Sequence, residues 1–183
     1  MLNLIKVAEI VKSSNIDLTE EDVLNFLKIR RRWPIVYPGG QPSVEIINNT
    51  ATNSSVYFFN VDSYLNYEAW KKFYDLGFTS IISNIFDLTD QLRELNQKLI
   101  YATGCNINGN FYFSKVGQTP SFNYHSHNYN VIVKQIYGVS DWKIKDKLYT
   151  LKPKDTCIIP KNVLHKVISK NENKLSLTIN IHE

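Results

Sequence analysis

The sequence has few cysteines and no long apolar run. Its only cysteines are Cys105 and Cys157, and neither lies in a CxxC or Cys/His pair with zinc-site spacing. This pattern excludes a disulfide-stapled secreted domain and favours a reducing cytoplasm. No stretch reaches the roughly 18 uncharged apolar residues of a transmembrane helix, and residues 1–10 lack the features of a signal peptide. We therefore expect a soluble cytoplasmic protein without a membrane partner.

The sequence also lacks a large excess of positive or negative charge. The 183 residues include 21 Lys and Arg against 17 Asp and Glu, a formal net charge of +4. The basic residues are scattered except for Arg30, Arg31 and Arg32, which complement the dipole of a predicted helix end. This distribution does not indicate a nucleic-acid binder. The length predicts one domain, residues 1–183, with a substantial core.

The first part of the chain, residues 1–105, has a mixed and mainly helical pattern. Thr19 is a plausible N-cap because Glu20 and Glu21 follow it in the first helical turn. The predicted elements are helices at Leu2–Ile10, from Glu20 onward, at Ser63–Leu76 and at Leu88–Leu99, a strand at Thr79–Ile85, and connectors at Pro38–Pro42 and Asn48–Ser55.

The second part, residues 106–183, has an all-β pattern. Short runs rich in Val, Ile, Tyr and Phe alternate with Gly, Pro, Asn and Asp, as in strands separated by turns. Candidate strands cover 108–114, 121–127, 130–137, 141–144, 148–151, 156–160, 165–169 and 175–181. Many short strands in so short a stretch predict a compact barrel or jelly roll with the helices packed outside.

His125 and His127 are the first candidates for chemistry. On a strand, residues i and i+2 point to the same face, so these two imidazoles can reach a single ion. Such a pair also arises by chance on protein surfaces, and alone it does not define a metal site.

A second pattern lies in the segment from Asp155 to His165. A strand ends at Pro160, the chain turns at Asn162, which tolerates a positive φ, and it returns with His165. This pattern resembles the second cupin motif, with Asn162 in the place usually held by glycine. The two patterns together predict one divalent metal held by His125, His127 and His165. Three imidazoles suit iron(II), and also zinc, nickel, manganese or copper.

The resemblance extends beyond the histidines. Gln135, Gly138 and Trp142 follow the pair at the spacing found in JmjC proteins of the ribosomal-oxygenase type. Further similar positions are Asn110, Tyr112, Gly117, Gln118, Ser176, Leu177, Thr178 and Asn180. Over roughly residues 87–181 the chain thus resembles JmjC and cupin-type 2-oxoglutarate oxygenases. The resemblance implies a mainly β fold with N-terminal helices, a double-stranded β-helix (cupin or jelly-roll) barrel.

The same resemblance implies an activity. It predicts an iron(II)-dependent and 2-oxoglutarate-dependent oxygenase that hydroxylates a protein, a peptide or a small molecule. In that family two histidines and a carboxylate occupy one face of the iron, which leaves the other face for cosubstrate and oxygen.

Two positions depart from the family. His127 stands where the family has Asp, so the metal loses an anionic ligand. Ser140 stands where a basic residue usually grips the far carboxylate of 2-oxoglutarate, and a serine cannot replace that ion pair. Lys174 and Ser176 share the strand parity of Asn180 and offer a substitute anchor, although a solvated Lys174 in a polar loop is the simpler interpretation.

The residue type and the position in the sequence indicate roles for several other residues. The candidates for cosubstrate binding are Asn110, Tyr112, Lys174, Ser176 and Asn180, and those for the substrate pocket are Tyr124 and Gln135. We interpret Trp142 as packing, Gly138 as a hairpin turn, and Cys157 as a buried hydrophobe rather than a nucleophile. The fourth histidine, His182, is left out of the site.

Two other functions fit the same residues. A three-histidine cupin can use its metal without 2-oxoglutarate, for dioxygenation, isomerisation or hydrolysis. Against it, Ile132 stands where such cupins often have a glutamate. A non-catalytic cupin can bind a ligand or partner. A homodimer formed through the N-terminal helices or sheet edges is a further expectation.

Overall fold

The computed structural model describes residues 2–29, 43–47, 60, 64–116, 122–168 and 172–183. Several positions discussed above lie outside these residues: Arg30–Arg32, the connectors 38–42 and 48–55, and Gly117–Gln118. Within the described ranges the helices are α1 (Leu4–Ser13), α2 (Glu20–Lys28), α3 (Tyr67–Asp75) and α4 (Asp90–Thr103), with a short 3-10 helix at Ile85–Asp87. None of the helices in these ranges is long and apolar enough to cross a membrane.

Nine strands form two antiparallel sheets in the described part of the chain. The strands are β1 (Val44–Ile47), β2 (Thr79–Ser83), β3 (Asn106–Ser114), β4 (Asn130–Tyr137), β5 (Ser140–Ile144), β6 (Lys147–Leu151), β7 (Thr156–Ile159), β8 (His165–Ile168) and β9 (Lys174–His182). The larger sheet has the order β1-β2-β3-β9-β4-β7, and the smaller has the order β6-β5-β8. This arrangement confirms the predicted mainly β fold.

Two apolar layers hold the sheets and helices together. Val131 and Ile159 of the larger sheet pack with Trp142 and Val167 of the smaller sheet, so the sheets face each other across a small core. The helices cover the other face of the larger sheet with a larger core that includes Leu27, Trp70, Leu95 and Phe111. Burial of such apolar area is the main favourable term in folding.

Strand β9 contributes side chains to both faces of the larger sheet. Leu175, Leu177, Ile179 and Ile181 are fully buried in the helix-facing core. Because side chains alternate along a strand, the residues between them face the smaller sheet instead. These are Lys174, Ser176, Thr178 and Asn180, so the inner face of β9 is polar.

Helix boundaries follow the capping residues. The Thr19 hydroxyl accepts a hydrogen bond from the backbone N–H of Asp22, whose carboxylate accepts one from the Thr19 N–H, which forms a capping box. Helix α3 begins at Tyr67, later than predicted, and Asn66 is its N-cap. Helix α4 is capped by Thr89 and continues to Gly104, which adopts the left-handed conformation that ends helices.

Two strand predictions differ from the structure. Strand β1 was not predicted, because its four residues lie between two polar stretches of sequence. The predicted strand 121–127 is wrong in its described part. There, only His125 forms a β-bridge, with His165.

Lys134 joins helix α1 to the barrel. Its side chain is buried on the helix-facing side of β4, and Nζ donates to the carbonyl oxygens of Val11 at 2.9 Å and Lys12 at 3.1 Å. It also contacts the carbonyl and hydroxyl oxygens of Ser14. The ammonium thus donates to carbonyls at the C-terminal end of α1, and a positive charge there complements the helix dipole.

We expect Lys134→Met to destabilise the protein by about 2 kcal/mol, because buried carbonyls would lose a charged donor. The free energy of unfolding in urea measures the effect. Lys152→Met is the matched control, since the Lys152 side chain is exposed, and it should change stability by less than about 0.5 kcal/mol. Equal stability of Lys134→Met and wild type would contradict the capping role.

Candidate metal centre

The main chain brings two distant segments together. The N–H of His125 donates to the carbonyl of His165 at 3.0 Å, and the N–H of His165 donates back to the carbonyl of His125 at 2.9 Å. The N–H of Asn162 donates to the carbonyl of His127 at 2.6 Å. Asn162 has a φ of 62°, as its place in the second motif predicted. The turn before β8 is therefore fixed against the segment that carries the first two histidines.

Three imidazoles converge at this junction. The potential ligand nitrogens of His125, His127 and His165 all lie within 4.8 Å of one another. Nitrogens bound about 2.1 Å from a single ion lie roughly 3.0 to 3.4 Å apart. A side-chain adjustment on the order of 1 Å would therefore complete a three-histidine site.

Local hydrogen bonds orient two of the rings. Nδ1 of His125 lies 2.9 Å from the carbonyl oxygen of Asn123, and Nδ1 of His165 lies 2.9 Å from that of Val163. A carbonyl only accepts, so each Nδ1 carries the proton and leaves Nε2 as the ligand atom. Such outer contacts fix the tautomer and orientation of metal-binding histidines.

The third ring is held by stacking. The His127 ring lies parallel to the Tyr129 ring, with centroids 4.8 Å apart. Tyr129 in turn contacts the ring of His182, at 4.5 Å. His182 thus lies one ring beyond the group of three, and Asn108 Nδ2 lies 3.2 Å from its Nε2. The structure accordingly keeps His182 out of the histidine group.

The histidines line a small cavity between the two sheets. Its volume is about 40 Å³, and its other lining residues are Asn110, Tyr112, Phe122, Tyr129, Val131, Trp142, Ile159, Val167, Thr178 and Asn180. Among the described lining residues none is charged at neutral pH apart from any charge on the histidines. A larger groove of about 710 Å³ lies between α1 and α4 and contains none of the three histidines.

The predicted site residues divide into two groups. Asn110, Tyr112 and Asn180 line the cavity with the histidines. Thr178 and Tyr129 line it as well, although the sequence interpretation did not select them as pocket residues. Two features of the sequence indicate their place: Thr178 lies on the same face of its strand as Asn180, and Tyr129 lies two residues after His127.

Tyr124 and Gln135 do not line this cavity. Tyr124 is 44% exposed, and the ammonium groups of Lys166 and Lys143 lie 4.7 Å and 6.0 Å from the centre of its ring. Since neighbouring residues in an extended segment point to opposite sides, Tyr124 faces outward where His125 faces inward. Gln135 is fully buried in a hydrogen-bonded layer below the cavity.

A hydrogen-bonded layer closes the barrel below the cavity. Gln135 Oε1 accepts from the hydroxyls of Ser140 at 2.7 Å and Ser176 at 2.8 Å. Trp142 Nε1 donates to the Ser140 hydroxyl at 2.9 Å. Gln135 Nε2 donates to the carbonyls of Tyr137 and Leu175. We call these four side chains, Gln135, Ser140, Trp142 and Ser176, the polar layer.

Lys174 lies on the far side of the polar layer. The prediction that it is solvated in a loop is wrong, because it lies on β9 with a relative exposure of 3%. Its Nζ has no hydrogen-bond partner among the described residues. Burial lowers the pKa of Lys174 to about 8, and the carboxylates of Glu172 and Asp141 partly oppose this change. Neither Lys174 nor Ser176 lines the histidine cavity.

Two other interpretations agree with the structure, and a third is wrong. Trp142 is 5% exposed and packs between the sheets. The hairpin predicted at Gly138 is wrong, because this residue connects β4 and β5, which belong to different sheets. Gly138 has a φ of 68°, and a Cβ there would lie 2.2 Å from the carbonyl oxygen of Asn173, so the connection requires glycine. Burial raises the pKa of the Cys157 thiol to about 12, which does not suit a nucleophile.

Burial favours the neutral form of His127 and His165. Burial lowers the pKa of His127 to about 4, with smaller contributions from His125 and His165. Burial also lowers the pKa of His165, against the hydrogen bond to Val163. Neutral imidazole is the form that binds a metal, so protons compete weakly at these two ligands.

We expect the melting temperature of the metal-free protein to fall as the pH decreases from about 7 to about 5. The pKa of His127 falls from 6.5 to about 4 on folding, so between these values the unfolded chain binds a proton that the folded chain does not. The resulting stability is fully present above pH 6.5 and is lost toward pH 4.

Thermal unfolding of chelator-treated protein across this range measures the effect. His127→Gln should give a shallower dependence on pH, and His182→Gln should keep the wild-type slope. An unchanged slope in His127→Gln would show that His127 does not carry the effect.

The sequence and the structure can be compared with those of known proteins. The model of the AraC-like ligand-binding domain family matches residues 108–179, less than half of the chain. No curated protein matches the sequence. A cupin-2 domain protein from Shewanella frigidimarina has 21% identity and a TM-score of 0.36, over 42% of this chain and 71% of its own.

A longer structural match covers the helices as well as the barrel. The structure of YcfD, a ribosomal oxygenase from Escherichia coli, matches 93% of this chain with a TM-score of 0.59 and 12% sequence identity. This chain spans only 45% of the YcfD chain. At this identity the match concerns the fold alone. The chain therefore has a double-stranded β-helix (jelly-roll) fold similar to that of YcfD.

Proposed function

We propose that this protein is an iron(II)-dependent oxygenase built on the cupin and JmjC-type fold. The observation that carries the proposal is the convergence of three imidazoles, from two separate segments, on one cavity. Three neutral nitrogen ligands suit iron(II) and also zinc, nickel, manganese or copper. A protein, peptide or small-molecule substrate would approach the open side of the ion, and bound iron(II) would supply activation of dioxygen.

The chain's own residues have distinct roles in this proposal. His125 and His165 would present Nε2 to the ion because their Nδ1–H groups are held by main-chain carbonyls. Asn110 and Asn180 offer amides, and Tyr112 a hydroxyl, for orienting a ligand. The apolar cavity residues Val131, Trp142, Ile159 and Val167 restrict water around the reacting atoms.

Two features of the molecule add support. YcfD, which has a similar fold over most of this chain, is described as a ribosomal oxygenase, so the fold is compatible with such an activity. Cys105 and Cys157 are free thiols, which supports a cytoplasmic location. A homodimer through the helices or sheet edges stays a prediction.

Ligand binding without catalysis is a second candidate function. The match of residues 108–179 to an AraC-like ligand-binding domain favours it. In that case the cavity would hold a ligand whether or not a metal is present.

We expect one iron(II) per chain after anaerobic loading, and a loss of affinity of more than about 100-fold in His165→Ala, beyond what loss of an outer contact causes. Elemental analysis and calorimetric titration measure occupancy and affinity. His182→Ala is the matched control, because His182 lies outside the group of three, and it should keep wild-type occupancy. Full occupancy in His165→Ala would remove His165 from the site.

Access of oxygen to the metal distinguishes an oxygenase from a structural site. Nitric oxide, a probe for the oxygen position, should give the EPR signal of a high-spin iron–nitrosyl complex in the iron-loaded protein. Iron that binds tightly but gives no such signal would have a closed coordination sphere, which contradicts the oxygenase proposal. Ligand binding by the metal-free protein, with no iron bound, would favour the second candidate.

A further inference from the structure

We infer that the centre works without 2-oxoglutarate, and that the substrate itself supplies all four electrons that reduce dioxygen. The inference rests on the proposed iron-dependent oxygenase function. It departs from the cosubstrate use that the resemblance to JmjC proteins implies. The disagreement comes from the size of the cavity, its charge, and the closed layer below it.

The cavity is too small for the ketoacid. Its volume of about 40 Å³ is enough for about three waters, given that one water needs roughly 10 to 15 Å³ on this measure. 2-Oxoglutarate has ten non-hydrogen atoms, five of them carbon, and a bidentate ketoacid would have to extend from the metal into the barrel. The side chains that enclose the cavity from below would have to move apart to admit it.

The cavity also offers no cationic partner for the second carboxylate. One carboxylate of the ketoacid would bind the metal, while the other would meet only neutral groups such as Asn110 and Tyr112 and would lack the ion pair that a lysine or arginine provides. No lysine or arginine is present among the lining residues that the structure describes. Residues 117–121, which precede Phe122 in the sequence and lie outside the described part of the chain, also include no lysine or arginine.

The polar layer contains Ser140, the position at which the resemblance to JmjC proteins places the contact with the ketoacid's far carboxylate, and the layer has no donor to spare. Both hydrogens of Gln135 Nε2 are used by main-chain carbonyls, and its Oε1 accepts from both serine hydroxyls. The Trp142 N–H is used by Ser140. Each group thus has its expected partners, so a carboxylate entering here would break bonds rather than complete them. Ser140, at the position of the usual basic residue, is part of this closure.

Lys174 does not restore the missing anchor. Ser176, a member of the polar layer, lies between Lys174 and the cavity residue Thr178 on the inner face of β9. The Cα atoms of Lys174 and Thr178 are four residues apart on a strand, or roughly 13 Å. The layer therefore separates this ammonium from the metal centre.

The electron balance then constrains the reaction. With 2-oxoglutarate, oxidative decarboxylation of the ketoacid provides two of the four electrons that dioxygen accepts. Without it, and with no added reductant, the substrate supplies all four electrons, and the oxygen atoms either enter the substrate or leave as water with protons taken from it. The substrate class is accordingly a compound that is oxidised by a full dioxygen molecule.

Anaerobic titration of the iron-loaded protein with 2-oxoglutarate tests the inference. We expect no visible charge-transfer band and no rise in melting temperature at millimolar ketoacid, because a ligand that does not bind cannot stabilise the fold. Nitric oxide binding to the same sample serves as the internal control for an intact, accessible iron site. Lys174→Met should behave as wild type in both measurements.

The outcomes separate the two proposals. A saturable band with one 2-oxoglutarate per iron would overturn the inference while leaving the oxygenase proposal intact, and its weakening in Lys174→Met would identify Lys174 as an anchor. Failure to bind iron or nitric oxide would instead overturn the proposed function. Intact nitrosyl formation with no response to the ketoacid would support both.

Discussion

Two main-chain hydrogen bonds between His125 and His165 are the constraint on which the centre depends. They join segments that are forty residues apart in the chain, and they do so at the residues that carry the imidazoles. The preceding turn, with Asn162 in the left-handed region, allows β8 to begin at this point. Without these two hydrogen bonds, the three imidazole rings would not line the same cavity and could not bind the same ion.

The residues that surround the pairing give the cavity a neutral character. Its walls are amides, hydroxyls and apolar side chains, and two of its histidines have lowered pKa values because they are buried. A dication bound there would be the dominant local charge. An anionic ligand would consequently be attracted by the ion itself, with little electrostatic selection from the protein around it.

Much of the fold was predictable from the sequence because local signals and the overall architecture agree. Caps such as Thr19 and Thr89 mark helix starts, and the alternation along β9 separates a helix-facing row from a cavity-facing row. Strand β1 escaped prediction because four residues flanked by polar stretches carry too little pattern. The segment before His127 was misassigned for a different reason: only one of its described residues pairs with a neighbouring strand.

The candidate site was predictable in its histidines and less so in its pocket. Spacing within a motif identifies residues that must converge, as for His125, His127 and His165. The alternation of side chains along a strand does not show, however, how deep inside the barrel a side chain lies. Gln135 and Ser176 face inward as expected, yet they belong to the polar layer and not to the cavity. Tyr124 shows the opposite case, since a neighbour of a ligand in an extended segment faces away from it.

The contact of Lys134 with the end of α1 bears on how the chain can be divided. Removing the first fourteen residues would leave this ammonium buried against the sheet without its carbonyl acceptors. An isolated barrel would then have to hydrate or neutralise that charge at its helix-facing surface. The N-terminal helix is therefore an integral wall of the barrel, and the shortest autonomous folding unit must include it.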